Sequence, residues 1–129
     1  MSRGPIIPTG AERSYLRFQF APAFRAGNTI YVSGVIGRGV DGAVPDGAAD
    51  EFDAAFRQLG EVLAAAGSRF ADIVDLTTFH VDMATLGDFL AVKARYIVEP
   101  FPAWTAVGIS ALAAPGARAE IKAVAVVSD

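Results

Sequence analysis

Between Ala48 and Ala66 the apolar residues Phe52, Phe56, Leu59, Leu63 and Ala66 recur at spacings of three and four, with charged residues between them. That spacing places them on one stripe of an α-helix, and the stripe has to be buried against a second layer. Asp53 and Arg57 stand four apart with the acid first, the order that suits a helix dipole. Gly67 then offers the left-handed residue on which helices commonly end.

The flanking sequence predicts that the second layer is a sheet. Phe18 to Arg25 and Thr29 to Ile36 read as two strands joined through Gly27-Asn28. Gly37 to Gly47, with four glycines, Pro45 and two Asp-Gly pairs, reads as a surface loop. Ile73 to Val81 is rich in Val, Ile and Thr and suits a strand. A second helix follows: Thr85 and Asp88 resemble a capping box, Leu86, Phe89, Leu90 and Ile97 make its stripe, and Pro100 ends it. Two last strands, Ala103 to Ala111 and Ala119 to Val127, flank the Pro115-Gly116 turn. The expectation is one α+β domain spanning residues 1–129, a mixed sheet with two helices on one face.

Nothing in this order covers the sheet's other face. The chain is 53% hydrophobic with a mean hydropathy of +0.39, high for 129 residues, so other subunits are expected to cover part of its surface. The 18 uncharged residues from Pro100 to Ala117 contain Pro102, Thr105, Ser110 and a Pro-Gly breaker, which predicts a buried strand and turn and no membrane partner. The first ten residues lack an apolar core, so no signal peptide is expected, and the cytoplasm is the predicted compartment. With 11 basic residues against 14 acidic and a pI near 5.0, the chain has no electrostatic footprint for nucleic acid. It has no cysteine and a single histidine, His80, so no metal site and no cofactor is expected.

Three candidate motifs keep a bland alternative. Gly37-Arg38-Gly39-Val40-Asp41-Gly42 fits a dinucleotide-binding string, but Ala43-Val44-Pro45 follows it where a helix N-terminus is needed, so it reads as a plain loop. His80 lies two residues from Asp82 and reads as a hydrogen-bonded structural histidine or as a pocket base. Glu120 shares a strand face with Lys122 and Val124, either as an exposed edge acid or as a desolvated pocket acid.

Several stretches together resemble the Rid family, also called YjgF or L-PSP: Gly27-Asn28-Thr29-Ile30-Tyr31-Val32-Ser33-Gly34, Ala64-Ala65-Ala66-Gly67, Asp72-Ile73-Val74-Asp75 and Glu120-Ile121-Lys122-Ala123-Val124-Ala125. The likeness runs from about residue 15 to 127. Phe101-Pro102-Ala103-Trp104-Thr105-Ala106-Val107-Gly108, with Thr78-Phe79-His80 upstream, is similar to the YjgH-like branch.

The resemblance implies a chorismate-mutase-like subunit, a homotrimer whose sheets form a central barrel, and three small-molecule pockets at the subunit interfaces. It also implies hydrolysis of reactive enamines and imines to keto compounds and ammonia. Family members of the RidA branch grip the substrate carboxylate with an arginine in a Pro-Ala-Arg-Ser stretch, which is Pro102-Ala103-Trp104-Thr105 here. The family's pocket tyrosine falls on Phe20 and its interface asparagine on Lys93, while Ser33, Gly34 and Glu120 match the family pattern. The expected pocket therefore has Glu120 as its proton-handling residue and Phe20, Ser33, Gly34, Lys93, Trp104 and Thr105 as ligand contacts. From the residues alone, Trp104 reads equally as a core residue and Lys93 as a solvated stem at the rim. Two functions follow, a deaminase-like hydrolase on a neutral metabolite or a non-catalytic ligand-binding trimer. The endoribonuclease activity attached to the L-PSP name is a third, and the acidic balance counts against it.

Overall fold

The computed structural model describes residues 3–129. In chain order it contains β1 (Arg3–Ile6), α1 (Glu12–Phe18), β2 (Ala23–Ala26), β3 (Thr29–Ile36), α2 (Ala48–Ala65), β4 (Ile73–His80), α3 (Leu86–Lys93), β5 (Ala103–Gly108) and β6 (Ala119–Val126). The strands form one sheet in the order β1-β2-β3-β6-β4-β5. Only β4 and β5 run parallel, and the crossover that a parallel pair requires is α3. This is the expected α+β arrangement with a mixed sheet.

The core lies between the sheet and the pair α2 and α3. On β6, Ala119, Ile121, Ala123 and Ala125 are buried and face the helices, whereas Glu120, Lys122, Val124 and Val126 alternate onto the other face. On β4 the buried set is Ile73, Leu76, Thr78 and His80. From α2, Phe52, Phe56, Leu59 and Leu63 pack down onto this surface, as their spacing predicts. Phe89 of α3 locks the helices together, with its ring 5.2 Å from that of Phe52 and 5.4 Å from that of Phe56. Each such side chain stabilises the fold by roughly 1.5–3 kcal/mol. Truncating Phe89 to alanine costs about 3–5 kcal/mol, because the two partner rings cannot close the gap.

Gly67 ends α2 at φ +74°, and Ser68 donates from its backbone to Leu63 and from its hydroxyl to the Val126 carbonyl at 2.7 Å. The helix end is thus fastened to the end of β6. Asp53 and Arg57 form the expected pair at 3.0 Å.

Four sequence expectations are corrected. The first predicted strand starts at Ala23 and not at Phe18, because residues 12–18 form a helix that closes on Gln19 at φ 61°. Among the described residues there are therefore three α-helices, and α1 buries no side chain. The Thr85–Asp88 capping box is absent: Asp82 accepts from the Ala84 N–H at 2.9 Å, and the Thr85 hydroxyl donates to the Asp82 carbonyl at 2.8 Å. The stripe of α3 is Phe89 and Val92, continued by Ile97, while Leu90 is 44% exposed. The uncharged run from Pro100 holds β5 and an irregular turn. No helix among the described residues is long and apolar enough to cross a membrane.

Candidate functional site

A cleft of about 560 Å³ opens where the end of β3 meets the start of β6. Its position follows from a break in the ladder. Val32 pairs with Ala123 and Val35 with Ile121, so β3 carries one residue more than β6 across this interval. Val32 and Val35 both serve the helix face, and the extra residue leaves Ser33 and Gly34 together at the wall of the cleft.

Glu120 sits on the floor, between Ile36 on β3 and Phe79 on β4. Its carboxylate rests against the backbone of Gly34, where an ideal Cβ would stand 2.5 Å from Glu120 Cδ. Only glycine leaves that room. The preceding residues are held from α2: Glu51, fully buried, accepts from the Arg118 backbone N–H at 2.7 Å and from Arg118 Nη1 at 2.7 Å. Ser33 donates its hydroxyl to the Ala21 carbonyl at 2.7 Å, and its N–H to Pro22 at 2.9 Å. Its hydroxyl proton is committed to that carbonyl, so Ser33 fixes the segment that carries Phe20. Phe18, Phe20, Pro22 and Val62 give the cleft an apolar wall.

Phe20, Ser33, Gly34 and Glu120 are thus brought together, and Lys93, Trp104 and Thr105 are not. Trp104 pairs with Leu76 and lies on the helix-covered face of the sheet. Its indole N–H donates to Thr78 Oγ1 at 2.9 Å, and Thr78 Oγ1 lies 2.7 Å from His80 Nε2. Lys93 Nζ stands 4.5 Å above the indole, a cation–π contact, and burial lowers the lysine's pKa. Thr105 alternates onto the opposite, open face beside Thr77 and is exposed.

His80 takes its structural reading. It is fully buried beneath Phe89, with ring centroids 4.9 Å apart, and burial pushes its pKa down from the ordinary 6.5. Asp82 is exposed and caps the following turn, so it does not orient the imidazole. Among the cleft residues that sequence reasoning missed, two are polar, Arg38 and Gln58. The signal for Arg38 was its place in a loop that leaves a strand end, where binding residues gather. Among the described residues no three or more His, Cys, Asp or Glu converge as a metal site would need.

Comparisons with known proteins establish the family and the fold. The family model described as Endoribonuclease L-PSP matches residues 13–127, and the chain belongs to that family. It is 36% identical over 127 residues to the RutC family protein YjgH of Escherichia coli (strain K12), covering 97% of this chain and 95% of that protein. It is 37% identical over 109 residues to a protein of Rattus norvegicus named 2-iminobutanoate/2-iminopropanoate deaminase, covering 83% of this chain and 79% of that protein. Among solved structures, one described as protein YJGH superposes with a TM-score of 0.87 at 35% identity, over 100% of this chain and 99% of that one. A Mycobacterium tuberculosis member of the YjgF/YER057c/UK114 family superposes with a TM-score of 0.83 at 28% identity, over 98% and 100% of the two chains.

Proposed function

We propose that this protein is a deaminase-type hydrolase that adds water to the C=N bond of a small imine, or of the imine tautomer of an enamine, in the cleft above Glu120. The observation that carries this reading is the placement of one carboxylate against the bare backbone of Gly34, in an otherwise largely apolar cleft. A carboxylate so placed can take a proton from attacking water and return it to the departing nitrogen. The balance is one imine and one water giving one carbonyl compound and one ammonia. The deaminase names of relatives such as the rat protein support the same chemistry.

The working unit in this reading is a homotrimer. Thr105, on the open face, is the member of the set Lys93, Trp104 and Thr105 that reaches the cleft of the next copy, while the Trp104 indole stays between Lys93 and Phe89 on the helix side. The half-exposed Tyr31 and the partly exposed Val126 on the open face of the sheet support burial against other copies.

The test is ammonia release from a panel of imines and neutral amides with wild type and Glu120→Gln. The expected result is turnover of at least one imine, falling by about 10²–10⁴ in the variant. The non-catalytic ligand-binding trimer is favoured by the tryptophan at the arginine's position. It predicts saturable binding to both proteins with no ammonia from either.

A further inference from the structure

We infer that the cleft takes an amidinium-type ligand, a planar cationic head with two adjacent N–H donors on an apolar body, and that Glu120 grips the head along the edge of its carboxylate. The inference rests on the cleft being the working site and names the class of compound it would take. It departs from the neutral ligand expected when Trp104 replaces the family's arginine.

The way the carboxylate lies is the first support. The point at which Gly34 would carry a Cβ is 2.5 Å from Glu120 Cδ, 2.6 Å from Oε1 and 2.9 Å from Oε2. Three such similar distances, with the carbon nearest, mark a point above the plane of the group and not at its rim. Glu120 therefore sets the face of its carboxylate on the Gly34 backbone, and the rim that carries the lone pairs of both oxygens stays clear of it. A flat head with two donors meets such a rim through two parallel N–H···O bonds, the same geometry that makes a guanidinium–carboxylate pair strong.

Nothing in the chain uses that rim. Among the described residues no cation stands within 4.0 Å of Glu120 and no donor bonds it. The other acids that are not exposed are Glu51, Asp53, Asp72 and Asp75. Glu51 is paired with Arg118, Asp53 with Arg57 and Tyr96, and Asp72 with Arg69 and Ser128. Asp75 also lacks a partner, but it lies outside the cleft, opposite Val124 on the open face of the sheet. A half-buried carboxylate has given up part of its hydration, and a cation arriving from outside restores what the fold does not supply.

The remaining polar side chains of the cleft ask for donors as well. Ser33 gives its proton to the Ala21 carbonyl, so its Oγ is left as an acceptor. Gln58 turns Nε2 to the Arg38 carbonyl at 2.9 Å, which leaves Oε1 without a partner. Arg38, the cation among the lining residues, is exposed and bonds Gly42 in its own loop at 3.2 Å. Its charge at the rim repels a second cation and so favours a ligand with its head inward at Glu120. Phe18, Phe20 and Val62 then receive the apolar body.

The experiment titrates benzamidinium, its neutral isostere benzamide and the anion benzoate into wild type, Glu120→Gln and Asp75→Asn, following backbone amide shifts by NMR. Wild type is expected to bind benzamidinium about tenfold more tightly than benzamide, the scale of a charge-assisted pair, and benzoate least. Asp75→Asn should retain that order, and Glu120→Gln, whose amide spectrum reports that it is folded, should lose it. No preference in wild type, its retention in Glu120→Gln, or an equal loss in Asp75→Asn would overturn the assignment. Ammonia release on the same proteins separates the two proposals, since one benzamidine and one water give one benzamide and one ammonia. Failure of the hydrolase reading is silence with every imine and amidine while the benzamidinium preference persists. Failure of the ligand assignment is turnover of an imine by a protein that shows no such preference.

Discussion

Glu120 and Gly34 occupy each other's space: the carboxylate of one lies where the other, if it were any residue but glycine, would carry its side chain. The clashing atoms belong to the far end of a flexible side chain, so a substitution moves Glu120 without breaking the sheet. Gly34→Ala is therefore expected to cost about 1 kcal/mol or less of unfolding free energy. Ammonia release should fall by about 10², the penalty of a misplaced catalytic group. Urea unfolding alongside the ammonia assay checks both halves, and a variant with full turnover would detach Glu120's position from its role.

Glu51 is fully buried and its partner Arg118 is about a third exposed. Glu51→Ala leaves a guanidinium and two backbone N–H groups at the start of β6 without their acceptor. The expected loss is about 3 kcal/mol, the low end for a broken buried pair because Arg118 retains some water. A denaturation midpoint unchanged from wild type would show that water replaces the carboxylate.

His80 is held below its ordinary pKa of 6.5 by burial, so the unfolded chain takes up a proton that the folded one refuses. The contribution to stability is complete above pH 6.5 and is lost as pH falls from there toward the lowered folded value. Thermal melts from about pH 7 to 5 should show the midpoint dropping, and His80→Phe should flatten that slope. An imidazole that titrates at 6.5 by NMR in the folded protein would contradict the burial argument.

Light scattering coupled to size exclusion is expected to give three times 13.4 kDa at micromolar protein. A monomer would leave Thr105 with no cleft to complete.

What the sequence made legible is what local periodicity encodes. The residues that the α2 spacing marks are all buried, although Glu51, Ala54 and Ala55 are buried beside them unmarked, and the alternation on β6 put Glu120 with Lys122 and Val124 on one face. The helix α1 left no such trace, because its Tyr15, Leu16 and Phe18 bury no common face, and Phe18 reads as the start of a strand. The face on which Trp104 lies was undetermined from sequence, since alternation fixes which β5 residues share a side and only pairing with Leu76 says which side that is. Gly34 was visible as part of a family pattern, but its close approach to Glu120 joins residues 86 positions apart. Arg38 was discounted with its loop because nothing local places a loop side chain beside Phe20 and Glu120.

The extra residue that β3 carries between Val32 and Val35 makes the protein unequally tolerant of changes in length. In the loop after β3, a residue gained or lost is absorbed by exposed chain. At Ser33 or Gly34 a single deletion would restore an unbroken ladder, with Val35 still opposite Ile121 and one residue left where two now wall the cleft. Val35 would keep the core side and Ile36 its place opposite Glu120, but the acid on β6 would face a closed strand. Homologous chains should therefore vary in length freely beyond Gly37 and keep their spacing fixed from Val32 to Ile36.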